Sequence, residues 1–77
     1  MTPIESIYEM ESILVALREP LASKSAFVTH KARIKYERLV YRFFRENPNF
    51  ADPGRHRDCL DDPVHFLNLL ALAKEMY

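Results

Sequence analysis

Residues 25–47 read SAFVTHKARIKYERLVYRFFREN, and the period of this stretch decides the fold. At 3.6 residues per turn, Val28, Ala32, Tyr36, Leu39, Val40 and Phe43 gather on one face. Phe27, Ile34 and Tyr41 form a second apolar face away from it. Ser23 or Ser25 offers the capping oxygen, and Asn47-Pro48-Asn49 ends the run, because the residue before a proline avoids helical backbone angles. The spacing predicts one long helix over 25–47, in contact with other structure on two sides.

Upstream, Thr2-Pro3-Ile4-Glu5 carries the parts of a capping box: a hydroxyl for an orphan amide, a proline at the first helical position and a carboxylate three residues on. Ile4, Ile7, Met10, Leu14 and Leu17 follow at helical spacing, with Glu5, Glu9 and Ser12 on another face. Pro20 is read as the stop, which gives a helix over 3–19. Downstream, 50–61 reads as a connecting loop with at most one helical turn: Asp52-Pro53-Gly54 favours a turn, and Arg55-His56-Arg57-Asp58 has no apolar period. A last helix over 62–76 starts at Asp62-Pro63 and carries Val64, Phe66, Leu67, Leu69, Leu70, Leu72 and Met76. Its apolar arc is wider than one neighbour covers, which predicts that a second copy or a partner protein covers the rest.

The expected fold is therefore all-α: a small single domain over 1–77 with three helices, the long middle one packed against the first and the last, that associates with itself. Composition agrees. The chain of 77 residues is 48% hydrophobic and 29% charged, which suits a packed core rather than disorder. Its single glycine disfavours a fold built on tight hairpins. A core of this size supplies only about 3–5 kcal/mol, and one cysteine, Cys59, makes no intramolecular disulfide, so association is the natural supplement. The early residues carry Glu5, Glu9 and Glu11 without a leading positive charge, and no long apolar run is present. No signal peptide, no membrane span and a cytoplasmic location are expected.

Net charge is zero but sorted along the chain. Lys24, Lys31, Arg33, Lys35, Arg38, Arg42 and Arg45 face Glu37 alone in the middle segment, and the two ends are acidic. On a helical projection Lys24, Lys31, Lys35, Arg38, Arg42 and Arg45 fall within roughly 80°. Such a row serves as a solvated face, pairs with Glu5, Glu9 and Glu11 of the first helix, or meets a partner bearing acids or phosphates. A dimer presenting two basic helices is the nucleic-acid alternative. Overall neutrality, the absence of a helix-turn-helix spacing and the lack of RNA-binding aromatic motifs leave it second to protein.

His56, Cys59, Asp61, Asp62 and His65 can each ligate zinc, but their spacing matches no zinc pattern and reads as a polar loop followed by a cap. Cys59, His56 and Asp58 lie close in sequence, which is not the geometry of a nucleophilic set. No glycine-rich phosphate loop occurs, and so short a helical chain leaves little room for a substrate cleft. No enzyme activity, cofactor, metal or small-molecule substrate is expected. The expected function is that of a small protein-binding regulator, adaptor or inhibitor. Phe44, Phe66, Leu67 and Leu70 are its expected apolar anchors, and Lys31, Lys35, Arg38, Arg42 and Arg45 the basic face that steers the partner.

Overall fold

The computed structural model describes residues 2–77, and their regular structure is helical throughout. Four α-helices follow in order, α1 (Pro3–Leu21), α2 (Ala26–Glu46), α3 (Pro53–Asp61) and α4 (Pro63–Met76), with a 3-10 turn at Pro48–Phe50. The count is four rather than the expected three, because the segment read as a loop contains α3.

Each helix begins for a local reason. The Thr2 hydroxyl accepts from the Glu5 N–H while the Glu5 carboxylate accepts from the Thr2 N–H, so the capping box closes. Ser25 rather than Ser23 caps α2, accepting from the Val28 N–H. Asp52 and Asp62 cap α3 and α4 by accepting from the Gly54 and Val64 N–H groups, each followed by a proline at the first helical position.

Two features differ from the expectation by more than a single residue at a helix end. Pro20 lies inside α1 instead of ending it. A proline forfeits its own N–H bond and crowds the carbonyl four residues back, but here only Leu21 follows it in the helix. The Ala22 N–H already turns back to the Arg18 and Glu19 carbonyls, so the disturbance is confined to the last turn. The second difference is α3. Asp52-Pro53 is the same start signal as Asp62-Pro63, and the short helix it opens packs rather than merely connects, since Cys59 is buried within it.

The core collects Ile7, Met10, Leu14 and Leu17 from α1, Tyr36, Leu39, Val40 and Phe43 from α2, and Phe66, Leu69, Leu70 and Ala73 from α4. Phe50 and Cys59 complete it from the 3-10 turn and α3. α1 packs along both α2 and α4, and α3 bridges α2 to α4. The Phe66 ring meets Tyr36 and Phe43 edge-on at 6.0 and 5.6 Å, the arrangement that ring quadrupoles favour.

Tyr36 holds α3 in place. In a continuous helix the Cys59 carbonyl would accept from the amide of residue 63, but Pro63 has no N–H to give. The hydroxyl of Tyr36 donates to that carbonyl instead. Burial pushes the Tyr36 phenol well above its ordinary range, with Cys59 adding to the effect, so the group stays a donor.

Candidate functional site: the outer face of α2

The side of α2 turned away from the core carries two parallel sets of side chains. Lys31, Lys35, Arg38 and Arg45 are exposed. Among the described residues the ion pairs join Arg33 to Glu37, Arg42 to Glu9 and Glu46, and Lys74 to Glu11, which leaves these four cations without a carboxylate partner. Lys24 precedes the Ser25 cap, so it does not share their helical register.

Arg42 departs from the expected row. Its guanidinium donates to Glu9 at 2.7 Å, to Glu46 at 2.8 Å and to the Ser6 hydroxyl at 3.3 Å. Ser6, itself buried, donates to the other oxygen of Glu46 at 2.6 Å, which closes the ring of contacts. The Ser6 hydroxyl and then Arg42 hold the Glu46 carboxyl below its ordinary pKa of 4.5, while the two carboxylates raise that of Arg42. Arg42 thus ties α2 to α1, and pairing with first-helix acids, one of the readings open at the sequence level, holds for this residue and Glu9.

Beside the cations run Phe27, Ile34 and Tyr41, with 70%, 38% and 57% of their surface exposed. Lys31 lies over the Phe27 ring at 5.0 Å. The Tyr41 ring meets His56 of α3 at a tilt, with ring centres 4.8 Å apart, which joins the far end of the seam to α3. Leu17, Pro20 and Val28 border a shallow hollow beneath Phe27, with Lys31 and Lys35 at its rim.

The apolar anchors expected on α4 and at the end of α2 lie elsewhere. Phe66 and Leu70 are fully buried, Phe44 is buried, and Leu67 is partly buried against the core. As folded, the first three have little or no surface to offer a partner. The wide arc of α4 is shared out instead: α1, α2 and α3 cover Phe66, Leu69, Leu70 and Ala73, while Val64, Leu72 and Met76 remain exposed.

The polar residues around α3 form no reactive set. Burial, and next the carboxylate of Asp58, push the Cys59 thiol up to about 11, so it stays protonated near neutrality. His56 packs at a tilt against Tyr41 and edge-on against Phe44, with ring centres 4.8 and 5.2 Å apart. Among the described residues no three His, Cys, Asp or Glu side chains come together to hold a metal ion. None of the helices in the described residues is long and apolar enough to cross a membrane.

The seam was legible as the second apolar face, Phe27, Ile34 and Tyr41, but the expectation set the basic face of α2 beside apolar anchors at Phe44 and on α4 instead of beside this seam. The overlooked signal was that these three positions repeat in step with Lys31, Arg38 and Arg45. Comparison of the chain with protein-family models, with curated proteins and with solved structures gives no match in any of the three.

Proposed function

We propose that the protein is a small non-enzymatic regulator, adaptor or inhibitor that binds another protein through the outer face of α2 and acts by covering the surface it binds. One observation carries this reading: four cations without carboxylate partners, Lys31, Lys35, Arg38 and Arg45, lie alongside three exposed apolar side chains on one helix. Apolar contacts supply affinity, while a row of like charge speeds and orients the encounter. We read the long α2 as the helix around which this function is organised, and the cytoplasm as the place of action, where a lone thiol stays reduced.

Self-association belongs to the same reading but to another surface. Two α2 faces laid together would set Lys31, Arg38 and Arg45 against like charges, whereas Leu72 and Met76, exposed at i, i+4 spacing on α4, are free of that penalty. Light scattering across a dilution series tests this. A mass near twice 9.1 kDa that is lost in the Leu72→Glu variant is the expected result, and a monomer at all concentrations removes the dimer.

A photo-crosslinking side chain at Ile34 tests the main reading in the native host. A discrete protein adduct that is absent when the same group replaces Ser12, exposed on α1, supports it. Absence of any protein adduct overturns it. The nucleic-acid reading rests on the same free cations, and polarisation assays with generic DNA and RNA separate it. That reading requires binding that falls steeply between about 50 and 200 mM salt.

A further inference from the structure

The apolar and basic side chains of the α2 face recur with one common period. Phe27, Ile34 and Tyr41 are seven residues apart, and so are Lys31, Arg38 and Arg45, each four residues after a seam residue. A straight α-helix drifts about 20° per seven residues, so over the two intervals from Phe27 to Tyr41 the stripe turns by about 40°, the sense that a second helix wound around it left-handedly follows. The seam spans about 21 Å at 1.5 Å per residue, or four turns of a partner helix.

We propose that this face docks one acidic amphipathic helix of a partner protein, laid along α2 as the second strand of a short left-handed coil. The inference rests on the protein-binding reading above and names the occupant. Apolar side chains of the incoming helix cover Ile34 and its two neighbours in the seam, and its carboxylates stand opposite Lys31, Arg38 and Arg45.

Charge selects this occupant. Glu37 and Glu46 make their direct contacts to arginines outside the free row, Arg33 at 3.2 Å and Arg42 at 2.8 Å, and only Arg45 also feels Glu46 through space. A second α2 brings like charges together. A phosphate backbone would neutralise the cations yet leave the seam uncovered. A seam one side chain wide is also narrower than the apolar face by which interfacial helices enter a lipid surface. So narrow a contact lies at the small end of protein interfaces, which suits a reversible partner.

The probe is a synthetic acidic peptide of three heptads, with leucine at the seam positions and glutamate on its flanks, titrated into the intact protein labelled for NMR. Expected are saturable one-to-one binding, amide shift changes confined to the outer face of α2, and at least tenfold weaker binding for Arg38→Glu and for Phe27→Ser. Both positions are exposed, and unchanged melting curves separate lost binding from lost fold. Equal binding by a peptide of the same composition with its heptad phase scrambled overturns the proposal. Equal or tighter binding by polyglutamate, duplex DNA or anionic phospholipid vesicles does so as well, because charge alone then explains the face. If the in-phase peptide fails while the Ile34 crosslinker still traps a protein, the helical occupant is wrong and the protein-binding reading stands. If both fail, both are overturned.

Discussion

Tyr36 is a single side chain on which the position of a whole helix depends. Its hydroxyl replaces the amide that Pro63 lacks, so Tyr36→Phe strands the Cys59 carbonyl in a buried place. An unsatisfied buried acceptor costs about 1–3 kcal/mol, a large share of what so small a core supplies. Urea unfolding should show that loss with an unchanged slope, and an unchanged midpoint would refute the account. Glu46 gives a second expectation at this scale. Its carboxyl titrates lower in the folded chain than in the unfolded one, so the stability it contributes is present above its ordinary value of 4.5 and lost as pH falls through the lowered one. Ser6→Ala removes the largest cause of that lowering, and the acid unfolding midpoint, followed by far-UV circular dichroism, should move to higher pH.

At the scale of elements, the helices were legible where a cap met an apolar period. α1, α2 and α4 show both, and their boundaries shift from the expectation by no more than two residues. α3 shows the cap without the period, because in its nine residues the apolar side chains that pack on the core are the adjacent Cys59 and Leu60, and two neighbouring positions leave no periodic trace. Asp52→Ala should cost about 1 kcal/mol and speed amide exchange in α3 while sparing the middle of α2. Equal loss of protection in both would mean that α3 does not open separately. The basic row was legible as a stripe, but the departure of Arg42 from it was not, since Glu9 lies 33 residues away and only tertiary packing brings the two together. On α4, His65, Asn68 and Glu75 do mark the exposed side, but Val64, Leu72 and Met76 share that side with them and widen the apolar arc, which hid that Phe66 and Leu70 belong to the core.

At the scale of the molecule there is one core and no reserve. Leu70→Glu places a charge where no surface is exposed, a change that costs several kcal/mol, and it should unfold the chain outright. Arg38→Glu changes an exposed side chain in the middle of α2 that makes no ion pair and should leave the melting temperature nearly unchanged. A folded, merely weaker-associating Leu70→Glu protein would return that leucine to a contact surface.

The placement of Cys59 also makes the molecule its own recorder. The thiol is 1% exposed and is the single cysteine of the chain, so an alkylating reagent can add one adduct, and only after α3 has moved aside. The rate at which that mass increment accumulates under native conditions therefore clocks the opening of one end of the fold. Tyr36→Phe should quicken the clock, and an occupied α2 face should slow it only if Tyr41, through His56, passes its restraint on to α3.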